Sequence, residues 1–256
     1  MPPTLTELIT LARQAGEILR TNFGQLLHVD HKGVIDLVSE ADRRSEAFLL
    51  NYIRQHFPDD RIVAEESGEF SGSVDHAWYI DPLDGTINYV HGIPIYSVSI
   101  AYAEGGALRL GVVYDPMRDE CFSAEYGAGA RLNGQPIHPT LVSDLDYALL
   151  VTGFPYDIRT NRDNNLDHFA HLSLHSQGVR RRGSAALDLC YVACGRVDGF
   201  WELSLKAWDV AAGALIARES GAVVTNMAGG LDFMAAPQSV LTANPQLHPL
   251  LLHELI

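Results

Sequence analysis

Trp78-Tyr79-Ile80-Asp81-Pro82-Leu83-Asp84-Gly85-Thr86 carries an apolar run straight into two carboxylates three residues apart. His76 to Ile80 reads as a strand ending at Asp81, because Pro82 removes a backbone donor. Gly85 lets a backbone approach a ligand closely, and Thr86 is placed to open a helix whose free N–H groups face an anion. Two carboxylates at a strand end suit a hard cation with oxygen ligands; read alone, the stretch also fits a turn with an Asp cap. Two further acidic stretches are weaker by themselves. Glu65-Glu66-Ser67-Gly68 follows the short strand Arg61 to Ala64 and fits a solvated loop. Asp209, beside Trp208, fits a helix N-cap.

Around this centre the hydrophobic periodicity divides the chain in two. Residues 1–144 open with a helix over Leu5 to Phe23 and a strand-like stretch, Leu26 to His31. A second helix follows from Ser39 to Gln55, with Ser39 as its cap. Ser97 to Ala103, Leu108 to Tyr114 and Glu120 to Ala124, separated by turn residues, predict an antiparallel meander, and Asn133-Gly134 marks a tight turn. Residues 145–256 alternate strands (Ala148–Thr152, Gly178–Arg182, Val197–Leu203, Ala222–Thr225, Ser239–Thr242) with helices (Asn164–Ser176, Ser184–Cys194, Trp208–Arg218, Leu247–Ile256). That alternation predicts an α/β half. No linker separates the halves, so one compact unit is expected.

Composition narrows the function. The 256 residues are 47% hydrophobic and 20% charged, the balance of a globular chain. The formal charge of −14 disfavours general nucleic-acid binding, and a phosphorylated substrate would need cations at its site. No run of about 18 apolar residues predicts a membrane span, and the N-terminus lacks a signal-peptide pattern. The three cysteines, Cys121, Cys190 and Cys194, read as buried thiols of a reducing compartment, most simply the cytoplasm. There is no G-x-x-x-x-G-K-[ST] loop, no G-x-G-x-x-G and no G-x-S-x-G. The Asp81-x-x-Asp84-Gly-Thr spacing is one residue longer than the D-x-D-G-T of aspartate-nucleophile phosphatases.

Asp81-Pro82-Leu83-Asp84-Gly85-Thr86 together with Trp208-Asp209-Val210-Ala211-Ala212-Gly213 resembles the two signatures of the inositol monophosphatase family. The resemblance extends to Lys32-Gly33, Asp36 to Asp42, Glu65-Glu66-Ser67, Gly183 to Ala186 and Asp198 to Glu202. It implies a sugar-phosphatase-like fold, α+β or α/β, layered as an αβαβα sandwich. It also implies a Mg²⁺-dependent, lithium-sensitive phosphomonoesterase that uses two or three ions. By the same resemblance Glu65, Asp81 and the Leu83 carbonyl hold the first ion, and Asp81, Asp84 and Asp209 the second. Glu65 would also reach a third ion through water. Glu65 and Thr86 orient or deprotonate the attacking water, and Asp42 supports Thr86. Gly85 and Thr86 offer N–H groups to the phosphate, and Lys32 lies on a mobile loop near metal or phosphate. Gly183, Ser184, Ala185 and Glu202 face the substrate, Glu202 accepting from a sugar hydroxyl.

The expected substrate is a small phosphorylated polyol or sugar, first of all inositol monophosphate. Fructose 1,6-bisphosphate, histidinol phosphate, 3′-phosphoadenosine 5′-phosphate and NADP are alternatives, and a non-catalytic regulatory member is another. A homodimer is expected from the relatives. His168, His171 and His175 share a helix face but lack a fourth ligand, so a solvated face is expected. Strand alternation predicts that Arg180 and Arg182 point one way and Arg181 the other, and that Trp201 points away from the face of Glu202.

Overall fold

The computed structural model describes residues 1–25, 29–31 and 37–255. Leu26 to His28, Lys32 and the Gly33–Asp36 stretch fall outside the described residues, and with them the Lys32 expectation. Helix α1 (Leu5–Asn22) starts at a capping box: Thr4 Oγ1 accepts from Glu7 N, and the Glu7 carboxylate accepts from Thr4 N. Strands β1 (Val29–His31) and β2 (Leu37–Ser39) form a small ladder. Helix α2 (Glu40–His56) is capped by Ser39, as the sequence predicts. Its buried face begins polar, with Asp42, Ser45 and Glu46, and continues apolar through Leu49 and Ile53.

The chain then lays down β3 (Asp60–Ala64), β4 (Gly68–Phe70), β5 (Ser73–Asp84) and a five-residue helix, α3 (Thr86–Val90). The predicted meander follows as β6 (Ser97–Glu104), β7 (Ala107–Asp115) and β8 (Glu120–Glu125), with β9 (Ala130–Leu132) and β10 (Gln135–Pro136) around the Asn133-Gly134 turn. These eight strands form one sheet in the order β10-β9-β8-β7-β6-β5-β3-β4, in which only β3 and β5 run parallel. Strand β5 runs through Pro82 instead of ending before it. The missing donor is absorbed by a register shift between the Asp81–Ser99 and Asp84–Ser97 pairs.

The second half supplies β11 (Leu149–Thr152), α4 (Leu166–Leu174), β12 (Gly178–Arg180), α5 (Ala185–Ala193), β13 (Gly199–Leu205), α6 (Ala207–Glu219), β14 (Val223–Thr225), β15 (Gln238–Ala243) and α7 (His248–Leu255). Its five-stranded sheet has the order β12-β11-β13-β15-β14, with β11 parallel to both neighbours and β15 antiparallel to both.

Packing stacks these parts in five layers. Helices α1 and α2 cover one face of the large sheet, α5 and α6 lie between the two sheets, and α4 and α7 cover the far face of the small one. A helix gripped from both sides must be apolar all round, and Val210 to Ala217 of α6 are all buried. Close approach of α5 and α6 depends on Gly213, where a Cβ would meet Leu189 Cβ at 2.8 Å. Trp201 is fully buried in the α7-side core, and its indole N–H donates to Asn165 Oδ1 at 2.7 Å. No helix among the described residues is long and apolar enough to cross a membrane.

Candidate active site

Strand β3 ends at Ala64, level with Ile80 of its parallel neighbour β5. The next residue, Glu65, donates its N–H to the Ile80 carbonyl at 3.1 Å. Glu65 therefore leaves the sheet beside Asp81, where β5 continues without a partner on that side. Both carboxylates line the same cleft, and burial, followed by repulsion from Glu65, raises Asp81.

The register shift in β5 then turns the chain so that Asp84 faces the second half of the molecule. Asp84 Oδ2 accepts from Ser184 Oγ at 2.6 Å and Ala186 N at 2.9 Å, both at the N-terminus of α5. Ser184 also caps that helix through Leu187 N. Gly85 adopts φ +100°, and any Cβ there would lie 3.1 Å from the Gly183 carbonyl. That left-handed turn points Thr86 back at α2, where its hydroxyl donates to Asp42 Oδ1 at 3.0 Å and also lies 3.1 Å from the Leu83 carbonyl.

Helix α6 delivers Asp209 from the other side. Asp209 is not the cap expected from sequence. The cap position is Lys206, and Asp209 sits three residues on, where its Oδ2 accepts from Lys206 N at 2.7 Å. A carboxylate in the first turn is favoured by the helix dipole and still reaches the cleft.

Glu65, Asp81, Leu83, Asp84, Gly85, Thr86, Gly183, Ser184, Ala185, Glu202 and Asp209 line one cleft of about 470 Å³. Asp42 stands behind it, fully buried. Sequence reasoning missed Gly153, Phe154 and Tyr156, which also line the cleft, Gly153 directly behind Glu202. It also missed Ser97, whose Oγ lies 3.5 Å from Asp84 Oδ2. None of these carries a local signal; each reaches the cleft through tertiary contact. The arginine run differs from its expectation too. Strand β12 ends at Arg180, so alternation stops there, and both Arg181 and Arg182 line the cleft. Arg181 lies over the Phe154 ring at 5.0 Å, and Arg182 over Tyr191 at 3.7 Å, with Asp188 3.7 Å away. On α4, His171 pairs with Glu254 at 2.5 Å.

Burial raises Asp81 well above the usual carboxylate range, reinforced by repulsion from Glu65, Asp84 and Asp209. Asp209 is raised in the same way, by burial and then by Glu65 and Asp84. Burial pushes Asp84 up to about 6, less far because Ser184 and the backbone N–H groups of α5 stabilise its charge. Glu202 is raised by burial and by Asp188, Asp209 and Asp84.

Crowded carboxylates that raise one another are a donor set for a hard divalent cation, whose charge would relieve the repulsion. Asp81, Asp84 and Asp209 are each oriented through one oxygen by a protein donor. Among the described residues, no group of three or more Asp, Glu, His or Cys side chains is arranged to hold a metal ion. An open cluster suits Mg²⁺, which keeps waters and takes phosphate oxygens along with one or two carboxylates.

The sequence pattern of the inositol monophosphatase family matches residues 2–255. Among curated relatives, the Nus factor SuhB of Escherichia coli (strain K12) is 41% identical over 249 residues, covering 96% of this chain and 93% of that one. The inositol-1-monophosphatase of Synechocystis sp. is 47% identical over 214 residues, covering 82% and 74%. Among solved structures, the extragenic suppressor protein suhB from Bartonella henselae superposes with a TM-score of 0.91 at 37% identity, covering 97% and 96%. The inositol monophosphatase from Anabaena (Nostoc) sp. PCC 7120 gives 0.87 at 42% identity, covering 98% and 96%.

Proposed function

This chain belongs to the inositol monophosphatase family, and we propose that it is a Mg²⁺-dependent phosphatase of a small phosphate monoester, first of all inositol monophosphate. The observation that carries the reading is the meeting of Glu65, Asp81, Asp84 and Asp209 in one cleft with the Thr86–Asp42 pair. In this reading Glu65, Asp81 and the Leu83 carbonyl hold one ion, and Asp81, Asp84 and Asp209 a second. Mg²⁺ bound there supplies Lewis acidity, which acidifies water and neutralises phosphate charge.

The chain's own groups do the rest. With its proton directed to Asp42 Oδ1, the Thr86 oxygen is an acceptor toward water. Thr86 thus orients the attacking water while Glu65 takes its proton. Water adds in line to phosphorus, and the phosphorus–oxygen bond to the alcohol breaks. The departing oxygen takes a proton from solvent, leaving alcohol and inorganic phosphate with no phospho-enzyme. The N–H groups of Gly85 and Thr86 bind the phosphate. Gly183, Ser184 and Ala185 line the polyol side, and Glu202 accepts from a hydroxyl there. Magnesium answers the negative net charge, because it reverses the sign of the cleft locally. A cytoplasmic homodimer is the state in which we place the enzyme.

The Nus factor names of several relatives favour a second reading, a binding role without turnover. Phosphate release decides between them. The panel is inositol monophosphate, fructose 1,6-bisphosphate, histidinol phosphate, 3′-phosphoadenosine 5′-phosphate and NADP, with Mg²⁺ and with or without lithium. Release that EDTA abolishes and Mg²⁺ restores is expected; no release from any member would leave the binding role.

A further inference from the structure

Three parts of the cleft hang from one face of α2. Asp42 holds Thr86, Ser45 Oγ donates to the Pro82 carbonyl at 3.0 Å, and Glu46 holds the turn that follows Glu65. Glu46 Oε2 accepts from Glu66 N at 2.8 Å, and Oε1 accepts from Ser67 Oγ at 2.5 Å. The three residues stand at i, i+3 and i+4, so they share one helical stripe. They are 0%, 0% and 2% exposed.

A glutamate this deeply buried needs a reason, because acidic side chains are seldom fully buried unless their oxygens are matched. Packing does not supply it. Leu49 and Ile53 continue the same stripe, and an apolar residue at 46 would extend it. Both Glu46 oxygens are instead committed to Glu66–Ser67, a turn at the protein surface where Ser67 is exposed. That turn is the three-residue connection between β3 and β4, and its first residue is Glu65.

We infer that Glu46 is a positioning residue for Glu65: by fixing the Glu66–Ser67 turn to α2, it keeps the Glu65 carboxylate beside Asp81. Through α2, that position is tied rigidly to the Thr86 hydroxyl held by Asp42. The inference rests on the phosphatase reading above for the work done by Glu65.

The test compares Glu46→Gln, Glu46→Leu and Ser67→Ala with Glu65→Gln and with the Glu46→Leu/Glu65→Gln double variant. The readouts are Tb³⁺ luminescence titration, as a probe of the carboxylate cluster, and the Mg²⁺ concentration for half-maximal phosphate release. Replacing an outer partner of a metal-binding group weakens affinity or activity by about 10–100-fold. Glu46→Leu should fall in that range on both readouts, and Glu46→Gln, which keeps one acceptor, should fall less. Ser67→Ala changes an exposed side chain, so a small shift in the same direction comes from the link and not from misfolding. The double variant should be no worse than Glu65→Gln alone, since an effect routed through Glu65 vanishes with it. Losses that multiply in the double variant overturn the inference, as does a lowered unfolding temperature with wild-type Tb³⁺ and Mg²⁺ dependence. A wild-type chain that neither releases phosphate nor binds Tb³⁺ would instead remove the phosphatase reading, and this inference with it.

Discussion

Asp84 Oδ2 and Ser184 Oγ lie 2.6 Å apart, although a hundred residues separate them in the chain. The bond joins the end of a strand in the large sheet to the helix that separates it from the small one. The candidate site is thus assembled across both halves, and neither half alone holds Asp84 in place.

Asp84→Asn should lower kcat by about 10²-fold or more, because it removes charge where the transition state gathers it. Ser184→Ala keeps that charge but removes one donor and the α5 cap, a change worth about 1 kcal/mol of stability. Steady-state kinetics with phosphate release and thermal unfolding separate the two. A near wild-type rate for Asp84→Asn would contradict the two-ion assignment.

Glu202→Gln should raise KM for a cyclic polyol phosphate and leave a generic aryl phosphate nearly unchanged. Hydrogen bonds to charged groups are worth about 1.5–3 kcal/mol, or roughly 10–150-fold in KM. Equal losses on both substrates would mean that Glu202 serves the metals or the fold.

Gly153→Ala tests the same carboxylate from behind. A Cβ at Gly153 would lie 2.1 Å from Glu202 Oε1, so the carboxylate must move. The expected result is the Glu202→Gln pattern, with KM for the polyol raised and aryl phosphate spared. A substrate profile identical to wild type would show that the carboxylate has room to shift without consequence.

Thr86→Val removes the donor to Asp42, a carboxyl buried and already raised by its burial. An unsatisfied buried group costs about 1–3 kcal/mol, so denaturant unfolding should register the loss along with a large fall in kcat. Thr86→Ser keeps the hydroxyl and should restore most of both. If Thr86→Val is as stable and as active as wild type, the hydroxyl has no part in either.

His248 sets an acid limit on stability. Burial lowers its pKa below the ordinary 6.5, and its Nε2 is 2.9 Å from Thr225 Oγ1. Below 6.5 the unfolded chain binds a proton that the folded chain resists, so stability rises with pH there and is fully present above 6.5. His248→Asn should be least favourable relative to wild type above pH 6.5, with the gap narrowing toward pH 5. Unfolding temperatures of both proteins at pH 5, 6 and 7.5 check this; a constant gap would exclude His248 as the cause.

Helix and strand order was legible because periodicity is local: α2, the meander and α6 all follow their apolar spacing. The acidic motifs were legible as chemistry, since a strand ending in Asp81-Pro82-Leu83-Asp84 has few uses. What escaped depends on contacts between distant segments. Arg181 and Arg182 both reach the cleft because β12 stops at Arg180, and nothing in three consecutive arginines marks that stop. Asp209 reads equally well at the cap or in the first turn. Ser45 and Glu46 did carry a signal, polar residues where the α2 stripe should be apolar, but their partners Pro82, Glu66 and Ser67 are set only by the packed sheet.

Val210 to Ala217 of α6 have no hydrated side, and this bears on time. Their amides can exchange with deuterated solvent only when the sandwich itself opens. The Glu66 amide sits in a surface turn and is held by its bond to Glu46, so its exchange rate reads how long that one bond lasts. The two flanks of the carboxylate cluster are clocked by different events: Asp209 adjoins the slowest-exchanging stretch of the molecule, and Glu65 adjoins an amide guarded by a single side chain.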